Sequence, residues 1–308
     1  MQLDDDLKQQ LRRVLAAAEQ VLPRPRQQLD WVQTPAANWR RHSLNGLLEA
    51  MEAIDTTELD ELLGIDEQKQ LVEINTRQFL AGLPANNMLL WGARGTGKSS
   101  LVRAVLNRYW QQGLRIVQVD KDDLPSLPDI FQQIRHLPYR FLLFCDDLSF
   151  EPGEKSYKML KSALDGSVYA APENVLIYVT SNRRHLLPEY ETDNLGAKMV
   201  NNEIHHGEGV EEKISLSDRF GLWVSFHVFS QDHYLEVVRQ CVTNLAKKHG
   251  SALPWDSEIS RAAIAWSHEK SKRCGRTALQ FARHWVGERL LRQAEAADRP
   301  RADGDTAC

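Results

Sequence analysis

Gly92-Ala93-Arg94-Gly95-Thr96-Gly97-Lys98-Ser99-Ser100 follows the apolar run Met88-Leu89-Leu90-Trp91 and precedes Leu101-Val102-Arg103-Ala104-Val105-Leu106. Glycine and lysine are thus spaced as a phosphate-binding loop at the junction of a strand and a helix. The glycines let the backbone turn tightly and present successive N–H groups to phosphate oxygens, with the positive end of the next helix behind them. Lys98 would reach the β and γ phosphates of a nucleoside triphosphate, and the Ser99 hydroxyl would ligate Mg²⁺.

Roughly fifty residues on, the apolar run Phe141-Leu142-Leu143-Phe144-Cys145 ends in Asp146-Asp147. A phosphate-loop ATPase needs carboxylates there, so Asp146 is the candidate metal contact through water. Asp147 is the candidate that orients or deprotonates the attacking water, and Glu151 competes with it as the base. A further apolar run, Val175-Leu176-Ile177-Tyr178-Val179, ends in Thr180-Ser181-Asn182. Asn182 both donates and accepts and could hold that water, although Thr-Ser-Asn is also an ordinary turn sequence. Arg219, in Leu216-Ser217-Asp218-Arg219-Phe220-Gly221, is a fixed planar cation suited to a transferring phosphoryl group, or else a surface ion pair with an acid. Arg276 opens the last long helix and could swing towards the γ phosphate, or simply be solvated there.

The elements that must carry these residues alternate helix and strand from Leu62 onward, as in a parallel sheet flanked by helices. Strands are expected at 87–91, 115–120, 141–146, 175–180 and 223–226, which makes a five-stranded α/β sheet. Helices are expected at 231–249, 256–270 and 276–294. Residues 3–22 place Leu3, Leu7, Leu11, Val14, Leu15, Ala18 and Val21 at helical spacing, so an amphipathic helix is expected there, ending near Pro23. Residues 26–60 have no clear period. The domain plan is a helical N-terminal extension (1–60), a nucleotide-binding α/β domain (61–229), a small helical domain (230–294) and a polar, disordered tail (295–308).

The 308-residue chain carries a formal net charge of −4, which argues against a protein-wide basic surface for nucleic acid. Its four cysteines, Cys145, Cys241, Cys274 and Cys308, form no CxxC pair, so neither a disulfide framework nor a zinc site is expected. The acidic start and the lack of any apolar stretch of membrane-spanning length point to a cytoplasmic protein without membrane contact. Residues 189–212 hold seven acidic residues against one lysine and are too long and polar for a plain connection. The adjacent His205-His206 reads as a solvated pair more readily than as a metal site.

In this order, the phosphate loop, Asp-Asp strand, Thr-Ser-Asn strand, Arg-Phe-Gly and Gly-Arg helix resemble Walker A, Walker B, sensor 1, arginine finger and sensor 2 of the AAA+ ATPase superfamily. The phrases Cys145-Asp146-Asp147-Leu148-Ser149-Phe150-Glu151, Ser181-Asn182-Arg183-Arg184-His185-Leu186 and Leu216-Ser217-Asp218-Arg219-Phe220-Gly221-Leu222-Trp223 look like the bacterial predicted-ATPase family called domain of unknown function 815. The resemblance covers roughly residues 45–290. It implies ATP and Mg²⁺ as cofactors, a helical lid, and Leu63-Gly64-Ile65-Asp66 beside the adenine, with Ile65 in contact. It also implies a homo-oligomer in which one subunit's arginine faces its neighbour's nucleotide. Walker B usually ends in Asp-Glu, whereas Asp147 is one methylene shorter; initiator-type AAA+ proteins are similar in carrying Asp-Asp.

The reading that results is a Mg²⁺-dependent ATP hydrolase that loads or remodels an unidentified macromolecule. The alternative is a nucleotide-dependent switch or scaffold with little hydrolysis. Residues 121–138 lack the aromatic, apolar and glycine triplet that protein unfoldases use to thread polypeptide. Arg183-Arg184-His185 and the cluster Lys270, Lys272 and Arg273 offer weak support for nucleic acid and are equally solvated faces.

Overall fold

A computed structural model describes residues 9–10, 13–14, 29–41, 46–53, 55–151, 154–165, 170–184, 186, 198–200, 203–205 and 216–297. In chain order the elements are β1 (Ala36–Arg41), β2 (Gly46–Ala50), α1 (Asp66–Leu80), β3 (Met88–Gly92), α2 (Lys98–Tyr109), β4 (Leu114–Gln118), α3 (Leu127–Ile134), β5 (Arg140–Cys145), α4 (Lys155–Leu164), β6 (Val175–Ser181), β7 (Lys198–Val200), β8 (Glu203–His205), β9 (Leu222–Phe226), α5 (Gln231–Lys248), α6 (Ser257–Glu269) and α7 (Gly275–Ala297). Seven strands form one sheet in the order β2-β1-β4-β5-β6-β3-β9. All neighbours are parallel except β1 and β2.

Burial on both faces explains the unbroken apolar runs of the central strands. In β5, Phe141, Leu143 and Cys145 enter one core with α3 and α4, while Leu142 and Phe144 enter the other with α1 and α2. That division is the two-residue period of a strand. The C-terminal helices have their own core of Tyr234, Val238, Val242, Phe281 and Val286. Ser230 Oγ caps α5 by accepting from His233 N at 3.2 Å, and Asp256 caps α6 by accepting from Glu258 N and Ile259 N at 2.8 and 2.9 Å.

Two expectations need correction. The sheet has seven strands, not five, and the two extra strands come from the span assigned to a helical extension over 1–60. β1 pairs in parallel with β4, Ala36 opposite Ile116, and antiparallel with β2, Ala37 opposite Ala50. Its sequence, Ala-Ala-Asn-Trp-Arg-Arg, has little intrinsic strand preference. Burial supplies what propensity does not: Ala36 faces one core while Ala37 and Trp39 face the other. The expected helix over 3–22 lies outside the described residues apart from 9–10 and 13–14, which are helical. Most of the acidic stretch 189–212 lies outside as well; within it, β7 and β8 form an antiparallel pair with Lys198 opposite His205. α7 runs three residues past the expected end at 294, and residues 298–308 are not described.

Arg115, at the start of β4 and 4% exposed, joins the front of the chain to this body. It donates to the carbonyls of Trp31 at 2.8 Å, Trp110 at 2.6 Å and Leu114 at 2.7 Å, and its guanidinium lies 4.3 Å from the Tyr139 ring centroid. Burial lowers its pKa, and Tyr139 opposes that shift. Arg115→Ala removes the donor and leaves those carbonyls without it, at a cost of about 3 kcal/mol. Urea unfolding should show this loss; a change under about 1 kcal/mol would mean that the Trp31 segment is held by other contacts.

Candidate functional site

Parallel strands bring their C-terminal ends to one edge of a sheet, and the order β5-β6-β3 sets three of them side by side. Gly92 ends β3, Asp146 follows β5, and Thr180, Ser181 and Asn182 end β6. Gly92 has φ 133, and a Cβ there would lie 1.9 Å from the carbonyl oxygen of Phe226 on β9. Only glycine fits so close an approach, and the next residue, Ala93, donates its N–H to that same oxygen at 3.2 Å. The loop then passes through Gly97 at φ 103 into α2. The positive end of α2 therefore opens into a cleft of about 1430 Å³.

Arg94, Gly95, Thr96, Gly97, Lys98, Ser99 and Ser100 line this cleft, together with Asp146, Asp147, Asn182, Arg276 and Ile65. Gly92 and Ala93 contribute through their carbonyls instead. Lys98, only 6% exposed, donates to Gly92 O and Ala93 O at 2.8 Å each and to Asn182 Oδ1 at 3.2 Å. Burial lowers the Lys98 pKa, and the charges of Asp147 and Asp146 partly oppose that shift. Ser99 Oγ donates to Asp146 Oδ1 at 2.5 Å, and Thr180 Oγ1 donates to the same oxygen at 2.5 Å. Arg103, one turn along α2 from Ser99, lies 3.6 Å from Asp146 Oδ2.

Asp147 has φ 51, a left-handed conformation that aspartate tolerates better than bulkier residues. Its carboxylate accepts from Asn182 Nδ2 and lies 3.6 Å from Arg94 Nη2. Glu151 does not line the cleft; its own N–H donates to Glu154 Oε1 at 2.9 Å. Arg219 does not line it either, and its Nε pairs with Asp165 just past the end of α4. Arg276 donates its backbone N–H to Gly95 O at 3.2 Å, which ties the start of α7 to the phosphate loop. Leu62, Leu63, Ile65, Val237 and Leu279 give the cleft an apolar wall, with Ile65 Cδ1 3.5 Å from where a Cβ on Gly97 would lie. Beside the lining residues Phe229 and Leu63, His233 has its ring 4.0 Å from that of Phe229 and Nε2 3.2 Å from Leu63 O.

Oxygen donors only, a hydroxyl and a carboxylate beside a phosphate-binding helix end, suit Mg²⁺, which keeps waters and substrate phosphates for its remaining positions. Among the described residues no cluster of three or more His, Cys, Asp or Glu side chains is placed to hold a metal on its own. Two polar groups of the site, Thr180 and Arg103, escaped the sequence reading. A threonine at a strand end reads as a turn former, but the one-turn spacing of Arg103 from Ser99 was available as a signal.

Sheet order, phosphate loop and helical layer together define an α/β P-loop fold of the AAA+ kind. The chain belongs to the family described as Protein of unknown function (DUF815), whose profile matches residues 32–289. Among solved structures it is similar to a point mutant of RuvB from Thermotoga maritima, at 14% identity, covering 80% of this chain and 69% of that one, with a TM-score of 0.51. It is also similar to the ORC1 protein of Aeropyrum pernix in complex with DNA, at 13% identity, covering 79% and 66%, with a TM-score of 0.52. At such identities the likeness is one of fold. No curated protein sequence matches the chain.

Cys241 lines the cleft, and burial, with the charge of Glu61 adding to it, raises its thiol pKa to about 11. Only the thiolate is nucleophilic, so at pH 8 about one thiol in a thousand is reactive. Iodoacetamide labelling followed by mass spectrometry should find Cys241 slower in the native chain than in urea by about two orders of magnitude at pH 8, with the native rate climbing towards pH 11. Equal rates at pH 8 would mean that the cleft does not bury this thiol.

Proposed function

We propose that the protein is a Mg²⁺-dependent ATP hydrolase that works as a homo-oligomer with nucleotide sites shared between subunits, and that it loads or remodels a macromolecule. The observation that carries this reading is the separation of the charged groups. Lys98, Ser99, Asp146, Asp147, Asn182 and Arg276 converge on one cleft, whereas Arg219 is held at Asp165 away from it. A guanidinium so placed is useful to the nucleotide of a second copy.

Hydrolysis in this reading is positioning and charge stabilisation rather than covalent chemistry. Lys98 exchanges its bonds to Gly92 O and Ala93 O for the β and γ phosphate oxygens, and the N–H groups of the loop and the α2 terminus hold the rest of the triphosphate. Ser99 and Asp146 would hold Mg²⁺, which supplies charge neutralisation on the β and γ oxygens when bound. Asp147 takes a proton from the attacking water, and Asn182 orients that water. Glu151 is the less favoured base because it does not line the cleft. The apolar wall around Ile65, Val237 and Leu279 receives the adenine.

A second reading, a switch that binds ATP and turns it over slowly, is favoured by one observation: Asp147 is already engaged by Asn182 and Arg94. Those partners compete with a water for its carboxylate, whose side chain is 59% exposed. The likeness to ORC1, a structure in complex with DNA, makes DNA one client to test, alongside unfolded protein. A cytoplasmic location fits the free thiols of Cys145, Cys241 and Cys274. Among the described residues no helix is long and apolar enough to cross a membrane.

ATP turnover per subunit should rise steeply with protein concentration. Lys98→Ala should abolish it, and Arg219→Ala should lower it by about three to five orders of magnitude while leaving nucleotide binding intact. Mixing the two variants should restore part of the rate, because Lys98→Ala subunits still carry Arg219. Turnover that is flat with concentration, with Arg219→Ala harmless, would rule out a shared site; binding without turnover at any concentration would favour the switch.

A further inference from the structure

Resting on the nucleotide-site reading above, we propose that Thr180 is the positioning residue that fixes both carboxylates of the Asp146-Asp147 pair. A threonine hydroxyl has one proton to give and lone pairs to accept with. Here both capacities are used on adjacent residues. Thr180 Oγ1 donates to Asp146 Oδ1 at 2.5 Å and accepts the backbone N–H of Asp147 at 2.8 Å. The carbonyl of the same residue accepts the N–H of Leu148 at 2.7 Å. Next along β6, Ser181 Oγ donates to Leu148 O at 2.7 Å. Two consecutive residues of one strand thus grip three consecutive residues leaving its neighbour.

The grip matters because the turn it holds is not one the chain adopts freely. Asp147 sits at φ 51, and a left-handed residue following a buried strand keeps that conformation only if its surroundings fix it. The two N–H groups that bracket its side chain, its own and that of Leu148, both end on Thr180. This sends the Asp147 carboxylate to Asn182 and Arg94 inside the cleft. The proton donated to Asp146 holds its Oδ1 where it also accepts from the Ser99 hydroxyl. Thr180 is 1% exposed, so no solvent molecule can take over either bond without repacking. Its side chain bonds neither Lys98 nor the loop glycines and reaches the phosphate loop only through Asp146, which also accepts from Ser99.

A loss of the hydroxyl alone should therefore uncouple metal use from nucleotide binding. Thr180→Val keeps the shape and removes the donor and acceptor, and Thr180→Ser keeps both without the methyl. Binding of a fluorescent ADP measured without metal should be the same in all three proteins, because Lys98 and the loop are untouched. In Thr180→Val the Mg²⁺ concentration needed for half-maximal enhancement of ATP binding should rise about 10- to 100-fold, kcat should fall by a similar factor, and Thr180→Ser should recover most of both. In the metal-free protein, exchange of the Asp147 amide hydrogen should be faster in Thr180→Val by at least about tenfold, an effect that does not depend on activity. If Thr180→Val fails to fold, Thr180→Ala gives the same comparison against Thr180→Ser. A folded Thr180→Val with wild-type Mg²⁺ dependence and amide exchange overturns the role of Thr180 alone. A wild type whose nucleotide binding is indifferent to Mg²⁺ overturns the nucleotide-site reading and this role with it.

Discussion

The buried ammonium of Lys98 sets the terms for everything around it. A cation that is 6% exposed must have its protons satisfied by fixed acceptors, or its desolvation would displace it. Two of its acceptors are carbonyls of its own loop, so the loop has to curl back over the side chain, and glycine is what permits that curl. The third is Asn182, so the end of β6 has to lie beside the end of β3. Burial and the two aspartate charges pull the lysine pKa in opposite directions, burial more strongly.

That requirement explains why the sheet is ordered as it is at its centre and tolerant at its margins. β6 stands between β5 and β3 and serves both: Thr180 and Ser181 towards the Asp146 turn, Asn182 towards Lys98. β9, on the other side of β3, receives Gly92 at van der Waals contact and anchors the loop's first N–H. β1 and β2, in contrast, extend the far edge beyond β4. Their attachment depends on burial of Ala37 and Trp39 and on Arg115 reaching the Trp31 carbonyl.

What could be read from the chain follows the same division. Gly92 to Ser99 is legible because each residue type answers a local backbone or charge requirement within a few positions. The central strands are legible because burial on both faces writes itself as continuous apolar runs. β1 escapes because Ala36 and Ala37 are buried by neighbours distant in sequence, and alanine carries no mark of a strand. Asn182 could be read as a polar group near the γ phosphate, but its contacts with Lys98 and Asp147 belong to three separate strand ends. The pairing of Arg219 with Asp165 spans 54 residues and has no periodic signal at all. The sequence order of motifs pointed to Arg219, while only the fold says what holds it.

The C-terminal helices are joined to the elements around the cleft at more than one place, and this constrains how movement can travel between them. At the phosphate end, Gly95 O accepts from Arg276 N, and a Cβ on Gly95 would lie 2.8 Å from Cys274 Sγ, so loop and helix start are in direct contact. Elsewhere, His233 on α5 packs its ring 4.0 Å from that of Phe229 and meets Leu63 O. Between them α5 and α7 share one tightly packed core through Tyr234, Val238 and Phe281. Close-packed interiors shift as units rather than stretching, so α5 and α7 respond together. A ligand that moves Gly95 against Leu63 would therefore shift the helical layer or break one of these attachments. The hydrogen bonds at each attachment are few enough to break singly, whereas the core between them is not.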